Sequence, residues 1–341
     1  MKDLNKIKGS LVGGAVGDAL GYAVEFMNEN GIFSRYGESG ITRYEDGFGR
    51  ISDDTQMSLF TAAGLMKGTD YLRQIARAYL DWYGTQTEPY PLTDPYTELA
   101  SNSSLFSRRA PGNTCLSALE HYALLGTYGS RERPLNDSKG CGGVMRVAPV
   151  GLYFAGSGIP IRDSDLLGAD AAAVTHGHEM GYQPAMMLSH IVRRLADDEN
   201  MTVREAVEEA LMYRLDLFGN TKAGLKFMFL IMKAAELAEK PKISDLDAIR
   251  RLGEGWTGDE ALAIAVFCAL RHSEDFEVGI VAAVNHGGDS DSTGAICGNI
   301  LGAKLGYDAI PGYFKGENLE LSDVICEMAE ELYTAGNKLL Q

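Results

Sequence analysis

Glycine recurs every fourth residue in two stretches of this chain: Gly9, Gly13, Gly17 and Gly21, then Gly294, Gly298, Gly302 and Gly306. Residues four apart share one face of an α-helix, so each stretch, wound as a helix, carries a column without side chains. Glycine inside a helix costs roughly 0.5–1 kcal/mol relative to alanine, so two such columns need a compensating gain. Close approach of a neighbouring backbone is the simplest one, with Gly306 serving as a helix C-terminal stop. Dense packing alone would account for both columns. Each nonetheless abuts residues with chemistry: the first leads toward Glu25, and the second begins in an acidic cluster.

Helical periodicity dominates the remainder. Apolar residues at i, i+3 or i+4 predict helices over 57–66, 71–83, 165–174, 184–195, 203–215, 222–239, 260–270, 276–284, 293–305 and 322–340. Alternating β-branched runs are scarce, and 40–44 is too short to anchor a sheet. Hydrophobic residues make up 45% of the 341 positions, enough for a sizeable core. No Pro/Gly/Ser-rich linker divides the chain. The expectation is an all-α fold: one domain over 1–341, a compact orthogonal bundle of many short helices around a central dinuclear metal cleft. The longest loop-like stretch is 84–113, and loops of that length are usually functional or partly disordered.

The cleft is expected from two acidic clusters, Ser52-Asp53-Asp54-Thr55 and Asp289-Ser290-Asp291-Ser292-Thr293. Each stands directly before an apolar run that reads as a helix. Charges concentrated against core-forming sequence are costly unless a cation neutralises them. If the fold joins the clusters, their four carboxylates are balanced by two divalent ions. An all-oxygen set without Cys or His suits Mg²⁺ or Mn²⁺ better than Zn²⁺. Ser-Asp-Asp-Thr before an apolar run is also what an ordinary helix N-cap looks like. The second cluster, with Gly287-Gly288 upstream, tips the balance toward metal, although spacing alone does not bring the clusters together.

Composition closes off several function classes. A net charge of −16 argues against sequence-independent binding to nucleic-acid backbones or anionic membranes. Five cysteines, without a C-x-x-C pair, fit a reducing compartment rather than a disulfide framework or zinc site. The small apolar stretch 11–23 looks superficially like a signal peptide, but Asp18 interrupts it. No stretch reaches the ~18 uninterrupted apolar residues of a membrane span. A cytoplasmic protein is expected.

Four motifs, in order, carry a family resemblance: Gly13-Gly14-Ala15-Val16-Gly17-Asp18-Ala19-Leu20-Gly21 followed by Glu25; Ser52-Asp53-Asp54-Thr55; Cys141-Gly142-Gly143-Val144-Met145-Arg146-Val147-Ala148-Pro149; and Gly288-Asp289-Ser290-Asp291-Ser292. Over most of its length the chain resembles the ADP-ribosylglycohydrolase family. The resemblance implies an all-α fold, two Mg²⁺ (or Mn²⁺) ions, and cleavage between the ribose C1″ and an acceptor side chain. Ser52, Asp53, Asp54, Asp289, Asp291 and Ser292 match the family's metal ligands, with Ser292 where many members have Thr. Glu25 matches the glutamate beside the scissile ribose and is implied as the catalytic residue. Gly142 and Gly143, with Gly112 of Ala110-Pro111-Gly112-Asn113-Thr114, fall where relatives set backbone amides against the diphosphate. Met145 and His176 fall at nucleotide-contacting positions.

The chemistry agrees with the residues. Glycine-rich turns let N–H groups approach phosphate, a metal pair orients a ribose diol, and a carboxylate stabilises an oxocarbenium-like transition state. The expected substrate is an ADP-ribosylated protein, with arginine the leading acceptor. The alternatives are another ADP-ribosyl linkage (serine, a nucleobase or a small molecule), a non-catalytic ADP-ribose-binding member, or a two-metal phosphatase. His176-Gly177-His178-Glu179 is a weaker metal candidate, and Asp94 an alternative base. Arg146 is read as a phosphate partner or a buried ion pair. Trp82, Tyr83, Tyr90 and Tyr96 are candidate stacking surfaces, and Cys141 lacks a basic neighbour to make a thiolate.

Overall fold

The glycine columns face each other. In the computed structural model, which describes residues 3–340, α1 (Leu4–Tyr22) packs antiparallel on a late helix, Ser290–Leu305. Gly9 meets Gly302, Gly13 meets Gly298, Gly17 meets Gly294, and Gly21 meets Ser290, backbone against backbone. A Cβ added at Gly13 would stand 2.5 Å from the Gly298 carbonyl oxygen, with the reciprocal collision at Gly298 closer still. Both helices are buried on nearly every side. Such a helix shows little amphipathic signal, and the columns are what reveal the pair.

Thirteen further α-helices complete the described residues. They are α2 (Glu29–Tyr36), α3 (Asp53–Leu65), α4 (Tyr71–Thr87), α5 (Asn113–Leu125), α6 (Ala148–Phe154), α7 (Ile161–Ala173) and α8 (Glu179–Asp197). There follow α9 (Val203–Phe218), α10 (Lys222–Ala238), α11 (Asp245–Leu252), α12 (Gly258–Arg271) and α13 (Phe276–Val284), then the glycine partner α14 (Ser290–Leu305) and α15 (Ser322–Asn337). The fold is all-α. Among the described residues the only β-pairing is two isolated bridges, Gly49 with Leu319 and Gly140 with Thr257. One continuous apolar core draws on α1, α3, α8, α12 and α14. No helix of the described residues is long and apolar enough to cross a membrane.

Four differences from the expected helices have physical causes. The helices α3 and α14 begin at Asp53 and Ser290 rather than 57 and 293, so the acidic clusters form first turns instead of preceding them. Pro184 does not start its helix: α8 begins five residues earlier, and the Met180 carbonyl near that proline packs against the α-carbon of Gly258. Helices α2, α5, α6 and α11 lie where no periodicity was read; they are short or half exposed. The expected loop is shorter than 84–113, because α4 runs on to Thr87. Its middle is pinned by Asp81, whose carboxylate accepts from the Tyr96 and Thr97 amides (3.1 and 2.6 Å) and the Thr97 hydroxyl (2.7 Å).

Candidate active site

Antiparallel packing of α1 on α14 fixes the site. Where α1 ends, the chain turns through Glu25 directly beside the first turn of α14. Helix α3 is drawn in by Asp18 of α1, whose buried carboxylate accepts from the Ser52 amide (3.0 Å), the Thr55 amide (3.1 Å) and the Thr55 hydroxyl. The Ser52 hydroxyl caps the Asp54 amide at 3.2 Å and donates to the Asp54 carboxylate at 3.4 Å. Asp289 likewise caps α14. Capping and convergence therefore coexist: the two clusters are N-caps, and they meet. Two helix N-termini directed at one point place positive dipole ends among the carboxylates.

Glu25, Asp289 and Asp291 each offer one carboxylate oxygen within 4.8 Å of the others. Asp53, Asp54 and Ser292 line the same cavity, of about 190 Å³. Two buried oxygens, Glu25 Oε2 and Asp54 Oδ1, have no hydrogen-bond partner among the described residues. Burial first, and the charge on Asp291 next, push the whole set upward: Asp18 to about 7, Glu25 to about 10, and Asp53, Asp54 and Asp289 well above the ordinary carboxylate range. Left to itself the cluster keeps protons. Orphaned oxygens and mutual repulsion are what a hard divalent cation relieves, and the donor set is all oxygen. The residues present fit such an ion.

The sign of the pH dependence follows. A carboxyl held above its unfolded value binds its proton more tightly in the native state, so its stabilisation is full at low pH and is lost as pH rises through the native value. For Asp18 that window runs from 3.8 to about 7, and for Glu25 from 4.5 to about 10. In chelator, the melting temperature should therefore fall between ~pH 5 and ~pH 9, and millimolar Mg²⁺ should flatten the fall. Parallel melting curves with and without metal across that range would remove the cation from the site.

The remaining predicted residues divide. Gly142, Met145 and His176 line the cavity. Gly112 lines it too, but its amide donates to Asp53 Oδ2 at 3.3 Å, positioning a carboxylate. Gly143 lies deeper, its α-carbon against the Gly181 carbonyl and Ala172; its lack of a side chain serves helix packing. His178 caps the Met180 amide at 2.9 Å, and Glu179 is held by Gln183 and Thr221, so only His176 of that trio faces the site. The Cys141 thiol donates to Asp289 at 2.6 Å, and burial with that neighbour pushes it well above its ordinary value, the reverse of what a nucleophile needs. His286 bonds Thr293 at 2.9 Å within the turn before α14. Arg146 makes no ion pair among the described residues.

The aromatic residues singled out in the sequence lie elsewhere; Trp82 is buried, with its indole N–H on Gln56. The cavity is instead lined by Trp256, 41% exposed, whose ring stacks on that of Phe26, 75% exposed, at 6.5 Å and 22°. Phe26 follows Glu25 directly. The chain around Trp256 is stitched to two motifs: Cys141 N–H donates to the Trp256 carbonyl at 3.3 Å, and Asp289 N–H to that of Glu254 at 2.8 Å. The sequence signal was a tryptophan between Gly255 and Gly258, outside any periodic segment. Asp18 was read within the first motif and as a break in an apolar run, but was given no role in the site.

Comparison with known proteins agrees with this geometry. The profile of the ADP-ribosylglycohydrolase family matches residues 1–339. The chain is 25% identical over 312 residues to the ADP-ribosyl-dinitrogen reductase glycohydrolase of Rhodospirillum rubrum, covering 89% of this chain and 86% of that one. It is 27% identical over 341 residues to the ADP-ribosylarginine hydrolase Tri1 of Serratia proteamaculans, covering 97% and 80%. A solved structure described as an ADP-ribosylglycohydrolase-related protein complex superposes with a TM-score of 0.67 at 24% identity, covering 98% of each chain, and shares the fold. With the motifs, the helical architecture and the full-length match in accord, the chain belongs to the ADP-ribosylglycohydrolase family of hydrolases.

Proposed function

We propose that this chain hydrolyses the glycosidic bond between ADP-ribose and a modified acceptor, with ADP-ribosyl-arginine on protein as the substrate. The observation that carries it is the meeting of Glu25 with Asp289 and Asp291 on the floor of a cavity walled by Gly142, Met145 and His176. Asp53, Asp54, Asp289 and Asp291, with the hydroxyls of Ser52 and Ser292, would hold two Mg²⁺ or Mn²⁺ ions. Such ions supply Lewis acidity and bring neighbouring carboxylates into their ionised range. Ionised Glu25 then takes the proton of the attacking water and stabilises positive charge developing at C1″. Asp18 holds the N-terminus of α3 so that Asp53 and Asp54 face the cavity.

Three features favour arginine. The Trp256–Phe26 pair beside Glu25 offers aromatic faces to a planar cation, the protein's charge of −16 attracts one, and Tri1 is an ADP-ribosylarginine hydrolase. The test is incubation of a mono-ADP-ribosyl-arginine peptide with the protein and Mg²⁺, resolving products by mass. Intact ADP-ribose and unmodified peptide are expected. Phosphate release with ribose left on the peptide would point to a phosphatase, tight binding without turnover to a non-catalytic member, and preferential cleavage of a serine-linked peptide to a different acceptor.

A further inference from the structure

Arg146 is fully buried, yet among the described residues no carboxylate pairs with it. Nη2 donates to Thr175 Oγ1 at 2.7 Å and to the Ala171 carbonyl at 3.2 Å, Nη1 lies 3.3 Å from the sulfurs of Met57 and Cys115, and the guanidinium sits 4.4 Å from the Tyr79 ring centroid. A guanidinium only donates, so Thr175 Oγ1 accepts from it and must place its own single proton elsewhere. His176 Nδ1 is 2.8 Å away. The Ala172 carbonyl is 3.5 Å away and already receives the Thr175 and His176 amides at 3.1 and 3.0 Å, which uses both its lone pairs. Cys115 sulfur is a weak acceptor already facing Arg146. The hydroxyl proton therefore goes to Nδ1.

We propose that Arg146 and Thr175 act as positioning residues that lock His176 in one tautomer, with its proton on Nε2, so that the ring offers a permanent hydrogen-bond donor to the nucleotide half of the substrate. Once Nδ1 accepts, a neutral imidazole carries its only proton on Nε2. The ring stays neutral: burial, and then the Arg146 charge, push it down to about 3. Nε2 lies on the cavity side, beside Gly140 and Gly142, where an added Cβ would come within 3.1 and 3.2 Å of it. Among the described residues no hydrogen bond meets Nε2. The donor suits a phosphate oxygen, a ribose hydroxyl or a purine ring nitrogen. This assignment of the ligand rests on the proposed activity; the tautomer does not.

Nitrogen NMR of ¹⁵N-histidine-labelled protein reads the tautomer directly, with His176 assigned by the loss of its signals in His176→Gln. Nδ1 should be unprotonated and Nε2 protonated from ~pH 5.5 to ~pH 8. Thr175→Val should release the lock, giving Nδ1–H or a mixture, and weaken ADP-ribose binding in Mg²⁺ by about tenfold, one hydrogen bond's worth. Thr175→Ser should keep both tautomer and affinity. A protonated Nδ1 in the unmutated protein, or an unchanged single tautomer in Thr175→Val, would overturn the lock. A changed tautomer with unchanged affinity would overturn the donor role. If Thr175→Val does not fold, the unmutated spectrum and Thr175→Ser still decide. An Nε2–H spectrum in a protein that binds no ADP-ribose would overturn the nucleotide as ligand together with the proposed activity, whereas an Nδ1–H spectrum with normal binding overturns the lock alone.

Discussion

Glu25→Gln should cut turnover by roughly 10²–10⁴-fold, the range for removing a general base, while ADP-ribose affinity in Mg²⁺ stays within about tenfold. Glutamine keeps the size and reach of the side chain but not its basicity. The companion Asp291→Asn should behave differently. Asp291 heads the charged neighbours that push up Asp18, Glu25, Asp53, Asp54 and Asp289. Removing its charge relieves repulsion, so this variant should melt higher than the unmutated protein in chelator, yet bind metal more weakly and turn over slowly. Calorimetry with Mg²⁺ separates the two. Glu25 stands within 4.8 Å of Asp289 and Asp291, so a Glu25→Gln protein that loses metal binding would make Glu25 a ligand, and near-normal turnover would remove it from the mechanism.

Gly298→Leu should lower stability by ~3 kcal/mol or more, beyond the usual 1–3 kcal/mol of overpacking, because the obstacle is backbone rather than a movable side chain. Its Cβ would fall inside the Gly13 carbonyl oxygen. Leucine is the better helix former by ~0.8 kcal/mol, so propensity alone predicts the opposite sign. Denaturant midpoints settle it. Gly312→Ala is the control, since nothing lies within 4 Å of a Cβ added there, and its stability should not move. A Gly298→Leu protein as stable as the original would mean that α1 and α14 can part without cost.

The sequence was most readable where a feature could be produced by only one kind of contact. Glycine at every fourth position announced close helix packing, though not that the two columns were each other's partner, because nothing local encodes a contact between residues 9 and 302. The acidic clusters were legible, and so was the N-cap reading of Ser52-Asp53-Asp54-Thr55, but the helix starts were placed late because Asp53 and Ser290 break the apolar periodicity that locates a helix. Asp18 was invisible as a site residue because its role lies in another helix's unpaired amides. Trp256 was missed because it sits in a connection, where periodicity is silent, and the packing of Gly143 against Gly181 and Ala172 was not legible because glycine next to phosphate and glycine next to a helix look alike in one dimension. Arg146 was expected to meet an anion; its surroundings of sulfur, ring and hydroxyl are assembled from four separate segments.

The α1–α14 seam also dictates when the site can exist. Glu25 leaves one side of the seam and Asp289 with Asp291 enter from the other, so these three carboxylates approach only after nearly the whole sequence has been threaded between them. A nascent chain that has emerged as far as α12 possesses Glu25, with Asp53 and Asp54 tied to α1 through Asp18, but it lacks Asp289 and Asp291 and does not close the carboxylate cluster. Contacts this distant pay their loop-closure entropy before they are rewarded. On the proposed reading, a cation is captured only once α14 has docked on α1.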